Sequence, residues 1–251
     1  MYHSVSAHQS RGDRRYACPP GRFRAHLRHL QGIGYRFCGL PEVMAVVAGE
    51  RVLVGDAIFL TFDDGYRDNL ESACPVLEET EVPGCVFVAT GFVGRSNEWS
   101  GPEFARRPML GWEDVVALNA RGVSVGGHSV SHARLPDLPH PRVREEVEGC
   151  KRELEQRLGI SVDAFAYPYG LFSPAVCDAV RGAGYRVAFS TRPGFNRPGD
   201  DALLLRRIEV EGSDSCRALA RKVRFGTNDG RPRVALRYYA DRIRARLGGV
   251  A

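Results

Sequence analysis

No stretch of the sequence approaches the roughly 20 consecutive apolar residues that a membrane span requires. Its opening, MYHSVSAHQSRGDRRY, carries no apolar core of the kind found in a secretory signal, so as it stands the chain is expected in the cytoplasm. A true start upstream of Met1 would withdraw that expectation, since a signal or anchor would then have room. The seven cysteines (Cys18, Cys38, Cys74, Cys85, Cys150, Cys177, Cys216) are odd in number, scattered and without a CxxC pair. That pattern argues against a disulfide framework and against a zinc ribbon. They are expected to be small buried apolar residues. There is no internal repeat and no low-complexity linker, and no histidine follows His140.

What remains is a chain of 251 residues, 43% hydrophobic and 26% charged, enough to fill a sizeable core in one large α/β domain spanning 1–251. The net charge of +5 is uneven. Ten Arg and Lys against three acidic residues lie between Ser213 and Ala251, leaving the rest slightly acidic. The tail reads as a basic helix at 231–247 with Val234, Tyr238 and Ile243 among its arginines. Packing on the body of the protein and weak contact with an anionic membrane surface are both compatible with that pattern. No nucleic-acid partner is expected, and nothing in the sequence sets an oligomeric state.

Strand-like and helix-like segments alternate. VGDAIFLTF (54–62), GCVFVAT (84–90), VSVGGH (123–128), VDAFAYPYG (162–170), YRVAFST (185–191) and LRRIEV (205–210) read as strands or strands running into loops. Helical spacing occurs at 21–35 (Phe23, Leu27 and Leu30 inward), 66–80, 111–122, 141–159 (Pro at its start, Gly at its end), 173–184 and 214–226. Such alternation implies a parallel sheet with helices outside it. Seven or eight units in about 250 residues match the size of a closed β/α barrel. An open doubly wound sheet is the alternative. In either case the active site lies at the C-terminal ends of the strands.

Three motifs sit at such ends. TFDDGY (61–66) places two adjacent carboxylates after an apolar strand. A turn needs only one Asp, whereas two side by side can divide roles, one binding a metal while the other takes a proton. GGHSVSH (126–132) puts His128 and His132 four residues apart on a loop or single turn. Two imidazoles and one carboxylate make a three-ligand site with open positions, which is what a catalytic metal needs. In FAYPYG (165–170), Pro168 and the turn stiffen the backbone, a way to aim the Tyr169 N–H at a developing oxyanion.

TFDDG, HSxSH and a PYG loop, in this order and separated by roughly sixty and forty residues, resemble the polysaccharide deacetylase (NodB-like) domain of carbohydrate esterase family 4. The resemblance includes FRAHLRHLQGIGYRF near the front and CDAVRGAGYRVAFST after the third motif. It implies a distorted (β/α) barrel of about seven parallel strands with outer helices. It also implies metal-dependent removal of an acetyl group from an N-acetylated amino sugar in a polysaccharide, a lipid-linked precursor or a small glycoside. Carried onto these residues, Asp64, His128 and His132 would bind a divalent metal, zinc by preference, and Asp63 would be the general base. The Tyr169 N–H would help to hold the oxyanion.

Breaking an amide also requires a general acid for the leaving nitrogen. Many relatives use a histidine in a late Leu-x-His motif, which this chain lacks, as it lacks the usual Asp-Trp motif before it. The sequence looks like the branch that includes the biofilm poly-N-acetylglucosamine deacetylases, where a Tyr-His near the front supplies the acid. His3 is then the expected acid, although a residue so near the start would ordinarily fray. The arginine that precedes Pro-Tyr in many relatives is absent, and Arg206 or Arg207 is expected to reach the catalytic carboxylate instead. Tyr66, Trp99 and Arg207 are expected to contact substrate, and Trp112 is expected to open its helix against the core. Two other readings stand beside the first. One is hydrolysis of another acyl group or a non-sugar amide at the same site. The other is a catalytically inactive carbohydrate-binding protein.

Overall fold

A computed structural model describes residues 1–7, 10–52, 55–234 and 238. In chain order it contains α1 (Asp13–Tyr16), α2 (Pro20–Gly32), β1 (Arg36–Cys38), α3 (Leu40–Val47), β2 (Ala57–Phe59), β3 (Thr61–Phe62), α4 (Cys74–Thr80), β4 (Cys85–Val88), α5 (Trp112–Ala120), β5 (Ser124–Gly127), α6 (His140–Leu158), β6 (Ala164–Ala166), α7 (Pro174–Gly182), β7 (Val187–Phe189) and α8 (Cys216–Phe225). Strands β3 to β7 form a parallel sheet in sequential order, and β1 pairs with β2 in a separate parallel pair.

Both edges of the five-stranded sheet are met by irregular staves. At the β3 edge, the Tyr2 N–H donates to the Thr61 carbonyl (2.8 Å) and the Asp63 N–H donates to the Tyr2 carbonyl (3.0 Å). At the β7 edge, Leu205 bridges Phe189 in parallel. The two staves then meet each other, the Val210 N–H donating to the Met1 carbonyl (3.0 Å) and the Met1 amine to the Ile208 carbonyl (2.9 Å). The result is the distorted barrel, with five regular strands and two frayed ones, and the open doubly wound alternative is set aside.

The expected strand at 205–210 is not a continuous strand. Its pairing is divided between two neighbours, Leu205 with β7 and Ile208–Val210 with Met1, so no single ladder forms. The expected helix over 66–80 is also interrupted. A wide turn at Asn69–Ala73 precedes α4, because Pro75 has no N–H to donate back along the helix. The strand expected at 54–62 divides at Leu60 into β2, which pairs with β1, and β3, which pairs with β4. Of the tail helix expected at 231–247, residues 235–237 and 239–247 lie outside the described residues.

The core fills the barrel and the layer beneath the helices. Phe23, Leu27 and Leu30 are buried on one face of α2, as the 3.6-residue period requires. Tyr2, Phe23 and Phe62 meet ring to ring at centroid distances of 5.1 to 5.9 Å. The Tyr2 hydroxyl also bonds His26 Nδ1 (3.0 Å), and His26 Nε2 donates to the Asp214 carbonyl (2.9 Å). A buried aromatic and a satisfied polar chain therefore anchor the residue next to His3. Six of the cysteines are buried, Cys216 is half-buried, and all seven are free thiols. Trp112 packs on the core with the Arg157 guanidinium 5.1 Å from its ring centre.

At Gly126 the sheet leaves no room for a side chain. A Cβ there would lie 2.5 Å from the Phe87 ring and 2.8 Å from the Ala164 carbonyl oxygen, and backbone cannot yield as a flexible side chain can. Gly126→Ala is therefore expected to lower stability by about 1–3 kcal/mol or more through overpacking. A shifted midpoint in chemical denaturation checks this, and an unchanged midpoint contradicts it.

Candidate active site

The three motifs converge at the C-terminal ends of β3, β5 and β6. Asp63 and Asp64 follow β3, His128 follows β5 with His132 on the next turn, and Tyr169 sits in the short turn Pro168–Gly170 beyond β6. Among the described residues, five non-glycines have positive φ. Four of them belong to these motifs: Asp64 (78°), Ser129 (62°), His132 (53°) and Tyr169 (57°). Left-handed backbone at non-glycine residues costs on the order of 1–3 kcal/mol each and persists where the surroundings over-determine it. Here it turns ligand-bearing side chains into one cleft of about 410 Å³, lined by His3, Asp63, Asp64, Trp99, His128 and His132 among others.

Asp64 Oδ1 lies 3.3 Å from His128 Nε2 and 3.2 Å from His132 Nε2, and all three residues are buried. His128 Nδ1 is 2.7 Å from the Ala166 carbonyl. A carbonyl can only accept, so Nδ1 carries a proton and Nε2 is the ring atom turned towards Asp64, the one left to ligate when the imidazole is neutral. Ligands about 2.0–2.2 Å from a tetrahedral zinc stand about 3.3–3.6 Å from one another, so the observed separations and the N,N,O donor set fit a divalent cation. Burial works against ionising Asp64, but its contacts with the two histidines outweigh that and hold its carboxyl well below the usual range. Burial pushes His132 towards its neutral form, the form in which imidazole binds a metal.

Asp63 faces a different partner. Arg207 grips it in a fork, Nη1 to Oδ1 at 2.5 Å and Nη2 to Oδ2 at 2.7 Å, with both residues buried. The same guanidinium donates from Nε to the Ser190 carbonyl (3.0 Å) and from Nη1 to Thr61 Oγ1 (3.3 Å). Its carbon lies 5.6 and 5.9 Å from the ring centres of Phe87 and Phe189. Burial raises the carboxyl's pKa, but Arg207 and then His128 outweigh it, so Asp63 stays below its ordinary value and ionised. Arg206 is exposed and bonds to the Asn196 and Pro193 loop instead. Arg207 is thus occupied by Asp63 and lies outside the cleft lining, so its expected contact with substrate gives way to a contact with the Asp63 carboxylate.

His3 lines the cleft with its ring edge-on to Tyr16 (4.9 Å), and its buried Nδ1 has no hydrogen-bond partner among the described residues. Trp99 stacks on His132 (4.6 Å, 26°), and Tyr169 meets the same imidazole edge-on (4.6 Å). Tyr66 lines the cleft but is only 6% exposed, too buried to offer an open ring face.

Sequence patterning passes over Glu146, on the buried side of α6. One of its oxygens accepts from the N–H groups of Val130 (3.0 Å) and Ser131 (2.7 Å), and the other from Ser131 Oγ (2.6 Å). It thereby shapes the loop between the two histidines. Its only sequence signal is a carboxylate one residue before Val147 on an otherwise apolar stripe.

The model of the family described as polysaccharide deacetylase matches residues 52–188, more than half of the chain. IcaB from Ammonifex degensii is 30% identical, with 83% of this chain and 89% of that one covered and a TM-score of 0.73. The Streptococcus pyogenes deacetylase PplD, solved in complex with acetate, shares the fold at 22% identity and a TM-score of 0.76, over 88% of this chain and 95% of its own. A poly-beta-1,6-N-acetyl-D-glucosamine N-deacetylase of Staphylococcus aureus (strain MRSA252) is 20% identical over 78% of this chain and 68% of its own length. The matched segment holds all three motifs, and the barrel beneath them is the one found in these structures. With its carboxylate pair and paired histidines, the chain belongs to the polysaccharide deacetylase family.

Proposed function

We propose that the cleft hydrolyses the acetamide of an N-acetylated amino sugar, with Asp64, His128 and His132 holding a divalent cation, zinc by preference. One observation carries this reading. Three ligand atoms, an ionised carboxylate gripped by Arg207 and the imidazole of His3 all meet in one cleft. Such a cation, when bound, supplies Lewis acidity towards the carbonyl and lowers the pKa of water. The residues of the chain do the rest. Asp63 takes the proton of the attacking water, and the Tyr169 N–H donates to the developing oxyanion. His3 gives a proton to the leaving nitrogen, and Trp99 offers an aromatic wall to the sugar ring.

The preferred substrate is an uncharged N-acetylglucosamine oligomer rather than a nucleotide- or lipid-diphosphate sugar. Of the two arginines that line the cleft among the described residues, Arg107 is buried against Asp13 and Arg15 is forked by Glu209, so a phosphate would have to displace a carboxylate at either one. The names of the relatives point the same way. Purified protein is expected to release acetate from N-acetylglucosamine oligomers. A chelator should abolish that release, and added zinc should restore it. Metal bound without acetate release from any acetylated sugar would count against the reading.

A further inference from the structure

The stave that carries His3 is fastened to β3 by a single bridge at Tyr2. Nothing in that bridge holds the next residue, yet a displacement of about 1 Å in a catalytic group can cost on the order of 10²-fold in rate. The segment following the metal-binding aspartate provides the missing hold. Asn69 is buried at the start of the wide turn, and its Nδ2 donates to the His3 carbonyl at 2.8 Å. Asp68 grips the next two residues, accepting from Ser4 Oγ on Oδ2 (2.5 Å) and from the Val5 N–H on Oδ1 (2.8 Å). Asn69 Nδ2 also reaches Asp68 Oδ1 (3.3 Å), tying the two clamps together. On the far side the Ser4 N–H donates to the Tyr16 carbonyl (3.0 Å), and the Tyr16 ring abuts His3.

We propose that Asp68 and Asn69 are positioning residues that hold His3 in register with Asp63 and Asp64, an inference that rests on His3 being the proton donor. In this arrangement the single run TFDDGYRDN supplies the base, a metal ligand and the clamp on the acid. The spacing between acid and base is then set by this one short segment together with the Tyr2 pairing.

Two substrates separate positioning from folding. An N-acetylglucosamine oligomer has a poor leaving amine and needs the acid, whereas 4-nitrophenyl acetate releases a phenolate that does not. Asn69→Ala is expected to slow acetamide hydrolysis about 10- to 100-fold by misplacing the acid, with ester hydrolysis within about twofold of wild type. Asn69→Ser and Asp68→Asn, which keep a polar group in place, should show the same selectivity to a smaller degree and serve if Asn69→Ala does not fold. The double variant His3→Ala/Asn69→Ala should be no slower on acetamide than His3→Ala, since residues acting as a unit are not additive. Equal losses on both substrates, additive losses in the double variant, or unchanged acetamide turnover would each overturn the clamp. Full acetamide turnover by His3→Ala would show that the reading of His3 as acid had failed, and the clamp with it.

Discussion

Asp63→Asn is expected to release acetate from an N-acetylglucosamine oligomer about 10²–10⁴-fold more slowly than wild type, the range a positioned general base contributes. The substitution keeps the shape and one acceptor oxygen but removes the ability to take a proton. Its effect should fall on turnover and not on metal content, because the ligand atoms belong to Asp64, His128 and His132. Stability should fall as well. A neutral amide at this position leaves the buried Arg207 without its counter-charge, and removing one partner of a buried pair typically costs about 3–5 kcal/mol. Bonds from Arg207 to the Ser190 carbonyl and Thr61 Oγ1 remain and soften that loss. Acetate release, bound zinc and a denaturation midpoint, measured on one preparation, separate the two effects. Undiminished turnover in a zinc-loaded variant would remove Asp63 from the role of base.

The parts of this site that the sequence made legible are those encoded in short local runs. Asp63, Asp64, His128, His132 and Tyr169 each stand where a strand-like run ends, and a parallel α/β architecture places such ends together. His3 was reachable only through the resemblance to the branch with a Tyr-His near the front, once no histidine was found after His140. Both it and Arg207 lie outside the 52–188 segment that the family model matches. The choice between Arg206 and Arg207 was not legible. Adjacent residues on a stave point to opposite sides, and an irregular stave shared between two neighbours has no register to predict. Glu146, Asp68 and Asn69 were missed for a related reason. Helical periodicity assigns a polar residue to solvent unless a loop folds back over it, and that folding back is a tertiary event. The barrel was legible as alternation, and 205–210 read as a strand, but the divided pairing of that stave was not, since apolar runs do not announce their partners.

Arg207→Met should invert the way stability depends on pH. In the wild type, Asp63 has a folded-state pKa below its unfolded value of about 3.9. Such a group contributes stability that is present above the unfolded pKa and lost as pH falls through the folded one. Without the guanidinium, burial is the largest influence left on the carboxyl, and a buried unpaired carboxylate takes up a proton rather than remain charged. Its folded-state pKa then rises above the unfolded value, and keeping it ionised becomes a cost that grows with pH. The deficit relative to wild type should therefore be small in acid and approach about 3–5 kcal/mol near neutrality. The acid limb of the pH–rate profile should move to higher pH for the same reason, since a protonated Asp63 cannot serve as base. Arg206→Met, at an exposed position, should stay within about 0.5 kcal/mol of wild type at every pH. Denaturation midpoints of the three proteins across acid to neutral pH decide the matter. If the two variants behave alike, the fork between Arg207 and Asp63 does not set the ionisation of the base, and the low pKa of that buried carboxylate must come from the histidines beside it.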